Sequence, residues 1–201
     1  MSDKAEHPRT WRVHSREGLY QGYNRLESLH FSHSSHAGDT VGPVERELFV
    51  RGNVVGLLAV DPQTNMIALV EQFRFGALER KPDPWLMEIV AGMIDTDETP
   101  EAVAIREAHE EAGLSLSSVT LAMRYLSSPG CSNEEVFLYY AETDLSGIGG
   151  THGLAEEAED IRVHVVPIET AYQMLDDGRI CNALSIIAIQ WLRLKRLGSG
   201  A

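Results

Sequence analysis

Both ends of one helix are written into the stretch from Thr99 to Gly113, and its polar face carries more negative charge than a helix alone favours. Thr99-Pro100 reads as a start, because threonine caps the orphan N–H groups and proline fits the first helical position. Gly113 reads as a stop, since glycine enters the left-handed conformation without steric cost. At 100° per residue Glu107, Glu110 and Glu111 fall together, and Ile105, Ala108 and Ala112 are expected on the opposite, inward face. Three like charges at these spacings repel each other. A hard divalent cation relieves that repulsion: Mg²⁺ and Mn²⁺ prefer carboxylate oxygens and retain waters. The same patch also reads as a solvated acidic face in a chain of net charge −13.

The flanks favour the cation. Gly92 is read as the end of a strand, allowing close backbone approach. Arg106 sits beside the cluster and is expected to pair with Glu98, leaving the other carboxylates for metal. A pI near 5.0 argues against nucleic acid or an anionic membrane as partner. It does not argue against phosphate ligands, provided divalent metals lie between the two. With 43% hydrophobic residues the chain can bury a sizeable core. No apolar run reaches the ~18 residues of a membrane span, and the polar Met1–Arg9 stretch is no secretory signal. A cytoplasmic location follows as the default. Cys131 and Cys181 form no CxxC pair and read as two reduced thiols.

Around this segment the pattern is mostly strand. Residues 11–51 read as two or three antiparallel strands, with His33 and His36 in a polar surface tip and too few large apolar residues for a core of their own. Strands are expected at 54–60, 66–72, 85–90, 121–126, 136–142 and 161–166, and a loop at 80–84, where two prolines break pairing. Helices are expected at 168–176 and from Asn182 to about Arg196. In the last, Leu184, Ile187, Ile189, Trp191, Leu192 and Leu194 leave little of the surface unpacked. The architecture is α+β, a mixed sheet flanked by helices. The domain reading is a strand region at 1–51, a catalytic domain at 52–198 and a tail at 199–201.

Gly92, five residues, Glu98, seven residues, then Arg106-Glu107-Ala108-His109-Glu110-Glu111-Ala112-Gly113-Leu114 resembles the Nudix box. Ala108 is the one soft departure, small but still apolar where the pattern has an aliphatic. Pro129 lies sixteen residues after Gly113, a spacing that resembles the bacterial ADP-ribose pyrophosphatases of that superfamily. Leu19–Tyr23, Val44–Glu47, Glu71–Arg74, Pro84–Met93, Thr151–Ile161 and Asn182–Trp191 are similar to them as well.

The resemblance implies a Nudix fold, with the mixed sheet between helices and the N-terminal strands exchanged across a homodimer. It implies metal-dependent hydrolysis of the pyrophosphate of ADP-ribose to AMP and ribose 5-phosphate, with two or three Mg²⁺, or Mn²⁺, per site. The metal ligands would be the Ala91 carbonyl, Glu107, Glu111 and Glu159, with Glu110 binding through water. Glu157 would be the general base from a loop, although choosing among Glu156, Glu157 and Glu159 rests on alignment alone. Arg74 matches an arginine near the phosphates, Glu134 an acid beside the terminal ribose, and Tyr23 an aromatic on adenine. Arg46 and Glu47 match contacts from the partner subunit, but a strand there would show only one of them to a given face. Alternatives are another nucleoside diphosphate sugar, such as ADP-glucose or GDP-mannose, or an ADP-ribose sensor without turnover.

Overall fold

The computed structural model describes residues 8–95 and 97–198, apart from the side chain of Glu157; the 199–201 tail lies outside the described residues. The chain divides into two compact units, Met1–Arg51 with Leu126–Glu134, and Gly52–Tyr125 with Glu135–Ala201.

The first unit is a three-stranded antiparallel sheet, β1 (Trp11–Gln21), β2 (Arg25–Ser34) and β3 (Thr40–Val50), in that spatial order. The expected tip is shorter than composition suggests. His33 is not in a loop but on β2, opposite Trp11 and Val41, because the cross-strand ladder runs on through the polar residues. Trp11, Leu19 and Tyr20 are exposed, in keeping with a stretch that makes no core of its own. Residues 126–134 close onto the end of β3: Phe49 N–H donates to the Cys131 carbonyl at 2.7 Å and Arg51 N–H to Asn133 Oδ1 at 3.1 Å. Ser128-Pro-Gly-Cys131 is a turn, closed by Cys131 N–H on the Ser128 carbonyl at 3.0 Å. Both cysteines are free thiols.

In the second unit β4 (Asn53–Asp61) and β5 (Met66–Phe73) are buried on both faces, and alternate residues divide between two cores. Val55, Leu57, Ala59, Ala68 and Val70 pack with Val103, Ala104, Ala108 and Ala112 of α1 (Pro100–Ala112). Leu58, Val60, Ile67 and Leu69 pack with Ile168, Ala171, Ala188, Ile189 and Leu192, from α2 (Ile168–Asp176) and α3 (Ala183–Gly198). The sheet thus lies between helices, as expected. Asn182 caps α3 through Oδ1, which accepts from Ser185 N–H at 2.9 Å. Leu194 contradicts its expected packing: it is 69% exposed, because α3 presents Ala188, Ile189 and Leu192 to the sheet and turns Leu194 away.

The segment expected as one strand at 85–90 is two, β6 (Trp85–Glu88) and β7 (Val90–Ile94). β4 and β5 pair only near their turn, at Val60–Ile67 and Asp61–Met66. Beyond it β6 takes the edge of β5 and β7 the edge of β4. Ile89 sits at the handover, and its N–H is satisfied by buried Ser185 Oγ at 2.9 Å. Gly92 therefore does not end a strand: it lies inside β7, opposite Val55. The sheet is completed by β8 (Thr120–Leu126), β9 (Glu135–Glu142), β10 (Gly150–His152) and β11 (Ile161–Pro167), in the order β10-β11-β5-β4-β9-β8. β9 runs parallel to β4, which makes the sheet mixed. The three-residue β10 has too short a pattern to be read from sequence.

Candidate active site

Helix α1 begins and ends where its residues dictate. Thr99 Oγ1 accepts from Ala102 N–H at 3.2 Å, and Gly113 takes φ 65°. Gly113 N–H then reaches the His109 carbonyl at 2.9 Å and Leu114 N–H the Ala108 carbonyl at 3.0 Å. This closure fixes the rotation of the helix and so the direction of its glutamates. Gly153 N–H donates to the Glu110 carbonyl at 3.2 Å, tying the loop after β10 to the end of α1.

The glutamates do not share one exposed patch. Glu111 is 2% exposed and lies with Ala108 and Ala112 on the inward side, since i, i+3 and i+4 neighbours share a face; Ile105 is only half-buried. Glu111 Oε2 accepts the Ala91 N–H of β7 at 3.0 Å. Burial, followed by the charges of Glu107 and Glu159, pushes its carboxyl up to about 8 against the pull of the Ala91 N–H and Arg74. Glu107 is likewise pushed up to about 7, chiefly by burial, with Glu110 and Glu159 adding repulsion and Arg106 opposing it.

Arg106 does more than was expected of it. It meets Glu98 at 3.2 Å, Glu107 at 3.0 Å and Glu110 at 2.7 Å. Glu107 and Glu110 are thus not left free, because one guanidinium with five donors is the nearest cation to all three. Glu159 Oε2 accepts from Leu154 N–H at 3.2 Å. Among the described residues, no three His, Cys, Asp or Glu side chains already stand as a ligand set; each acid is turned onto a donor from the protein. Gly92 supplies room, since a Cβ there would overlap the Glu107 carboxyl.

Arg74 follows β5. Its Nε and Nη2 both donate to Glu88 Oε2, at 2.9 and 2.7 Å, and its N–H donates to the Pro84 carbonyl at 2.9 Å. Its charge is felt at Glu111. Sequence reasoning gave Glu88 no role, although a lone carboxylate in the run Trp-Leu-Met-Glu-Ile-Val is the kind of signal that marks a buried partner. Glu157 closes a single 3-10 turn at Ala155–Glu157, on the loop between β10 and β11; its side chain lies outside the described residues.

The remaining expected residues belong to the first unit. Tyr23 is 85% exposed at the β1–β2 turn. Arg46 and Glu47 are consecutive on β3, opposite Leu29 and Ser28, and so face opposite sides of that sheet. Glu134 is buried, and its Oε2 meets Arg51 Nε at 2.8 Å.

Buried, mutually repelling carboxylates beside a glycine-opened strand, with a guanidinium close by, suit an anionic ligand brought in with divalent cations. Comparison with known proteins gives the family. A computed family model described as NUDIX domain matches residues 50–183. The chain is 45% identical over 180 residues to the ADP-ribose pyrophosphatase of Escherichia coli (strain K12), covering 90% of this chain and 86% of that one. It is 43% identical over 179 residues to the ADP-ribose pyrophosphatase of Haemophilus influenzae, covering 88% and 82%. A GDP-mannose pyrophosphatase of Enterobacter is 33% identical over 181 residues, covering 89% and 93%. A solved structure described as an ADP compounds hydrolase shares the fold, with a TM-score of 0.72 at 18% identity over 98% of this chain and 99% of that one. Matched over most of its length by the family model, and over nearly all of it by these relatives, the chain belongs to the Nudix family.

Proposed function

We propose that this protein hydrolyses the pyrophosphate bond of ADP-ribose, giving AMP and ribose 5-phosphate, with Mg²⁺ or Mn²⁺ at the acid cluster. The observation that carries the reading is the pair of acids α1 turns against β7: Glu111 takes the Ala91 N–H at 3.0 Å and Glu107 fills the space that Gly92 leaves, both repelled by Glu159. Carboxylates pushed up to about 7 and 8 are poorly suited to stay charged without a cation, and oxygen donors of this kind suit a hard one. Glu107, Glu111, Glu159 and the Ala91 carbonyl would hold two or three such ions. Bound there, divalent cations offset phosphate charge and lower the pKa of water.

The chain's own residues do the rest. Arg106 holds Glu98, Glu107 and Glu110 in place. Arg74 offers a guanidinium to the phosphates. Glu157, on the loop before β11, takes the proton from the attacking water. Glu134 serves the terminal ribose, Tyr23 the adenine, and Arg46 and Glu47 the nucleotide from the partner subunit. The similarity to ADP-ribose pyrophosphatases at 45% identity favours ADP-ribose over GDP-mannose, whose named pyrophosphatase relative stands at 33%.

A panel of ADP-ribose, ADP-glucose and GDP-mannose, with Mg²⁺ and with and without chelator, tests the assignment. The kcat/KM for ADP-ribose is expected to exceed the others by ~10-fold or more, the scale on which a few contacts discriminate. Faster turnover of GDP-mannose moves the assignment to that sugar, and tight ADP-ribose binding without products makes the protein a sensor.

The protein works as a cytoplasmic homodimer with the N-terminal strands exchanged. Trp11, Leu19 and Tyr20, exposed on a sheet with no core of its own, support that reading. Light scattering is expected to give about twice 22.2 kDa, and removal of residues 1–51 to destroy solubility or activity. A truncated, active monomer contradicts it.

A further inference from the structure

Arg74 is anchored at two points, and both lie on the approach to and end of β6. Its N–H donates to the Pro84 carbonyl at 2.9 Å. Its side chain is held edge-on by a single oxygen, Glu88 Oε2, through Nε and Nη2. Glu88 is 6% exposed, whereas the Arg74 side chain is 41% exposed. The carboxylate is therefore the fixed partner and the guanidinium the half-open one. Both bonds come from one edge of the fork, so the Nη1 end stays for a second anion.

Stability alone does not account for a carboxylate here. The neighbours of Glu88 along the chain are Leu86, Met87, Ile89 and Val90. An ion pair with one partner buried and the other half-exposed is weak evidence of added stability. The position of Glu88 is more telling. It is the last residue of β6, and Ile89, pinned by Ser185, separates it from Val90 and Ala91 of β7. Ala91 N–H in turn holds Glu111. One short segment thus places the guanidinium and the metal-binding acid together. Glu88 Oε2 takes two donors of the guanidinium and so fixes its plane and the direction of its remaining edge.

We infer that Glu88 is a positioning residue that holds Arg74 edge-on, with its Nη1 end presented to the substrate diphosphate. This rests on the reading that Arg74 serves the phosphates. It is tested by a double-mutant cycle on kcat and KM, using Arg74→Ala, Glu88→Gln and the pair. Glu88→Gln keeps the shape and one acceptor oxygen but removes the charge. Charge-assisted bonds of this kind correspond to ~10–100-fold, so KM is expected to rise by that order with a smaller change in kcat. The double variant is expected to be no worse than Arg74→Ala, because Glu88 acts only through Arg74. Additive losses, or a Glu88→Gln enzyme with unchanged KM, overturn the inference. If Glu88→Gln does not fold by circular dichroism, Glu88→Asp, which keeps the charge but withdraws it by one methylene, is read in the same cycle with the same outcomes. The cycle is run on whichever nucleoside diphosphate sugar the wild type turns over fastest, so a wrong sugar leaves it readable. A wild type that turns over none overturns the functional reading and this inference together.

Discussion

Excess EDTA is expected to lower the hydrolysis of ADP-ribose by ~10³-fold or more, the rate equivalent of the several kcal/mol a divalent cation supplies. Arg106 is the cation that three glutamates share, and Glu111 is served by an N–H and the more distant charge of Arg74. That leaves net negative charge where an anionic diphosphate must sit. Turnover at full rate in excess chelator overturns the mechanism. The same charges act on stability. Glu107 and Glu111 rise from 4.5 to about 7 and about 8 on folding, first of all through burial. Between 4.5 and those values the folded protein holds protons that the unfolded chain has released, so stability falls as pH rises. Below 4.5 both states are protonated and these two acids impose no penalty; above about 8 the penalty is complete. The melting temperature of the metal-free protein is therefore expected to drop as pH climbs through this window. Mg²⁺ is expected to raise it most at the alkaline end, where the carboxylates are charged and ready to bind. A melting temperature indifferent to both pH and Mg²⁺ contradicts the buried-acid account.

The residues that place the site were legible wherever a local rule decides them. Thr99, Pro100 and Gly113 bound α1 because capping and the left-handed closure depend on the residues themselves. The alternation in β4 and β5 was harder to read, since strands buried on both faces show a continuous apolar run rather than a period of two. What sequence could not show was set by pairing. Whether Trp85–Ile94 is one strand or two depends on how far β4 and β5 stay together, and on a serine almost a hundred residues away that satisfies Ile89. The glutamate patch was misjudged for a different reason. Spacing puts Glu107, Glu110 and Glu111 near one another but does not say that Glu111 also shares the buried face of Ala108. The pairing of Glu88 with Arg74 likewise depends on a partner strand: β6 lies against β5, with Glu88 opposite Val70, and from there its carboxylate meets the guanidinium that follows β5.

Glu157→Gln is expected to lower kcat by ~10²–10⁴-fold, the usual worth of general-base assistance, with KM nearly unchanged. Glutamine keeps the size and the hydrogen bonding of glutamate but cannot accept the proton of the attacking water. Glu157 ends a single 3-10 turn between β10 and β11, in a loop tied to the end of α1 by Gly153 N–H on the Glu110 carbonyl and to Glu159 by Leu154 N–H on Oε2. A base supplied by a loop limits idle hydrolysis when no substrate is bound. Glu111→Gln serves as the control, because it removes charge from the cation site instead. Its loss is expected to appear together with a higher Mg²⁺ concentration for half activity, which Glu157→Gln should leave near the wild-type value. The pH profile separates the two further. Without its base the enzyme depends on hydroxide or solvent to take the proton, so the Glu157→Gln rate should climb steadily with pH where the wild type levels off. A Glu157→Gln enzyme with near-normal kcat returns the base to Glu156, Glu159 or a glutamate of α1. The metal site would stand in that case, since Glu107 and Glu111 are placed by α1 and β7 and not by the loop.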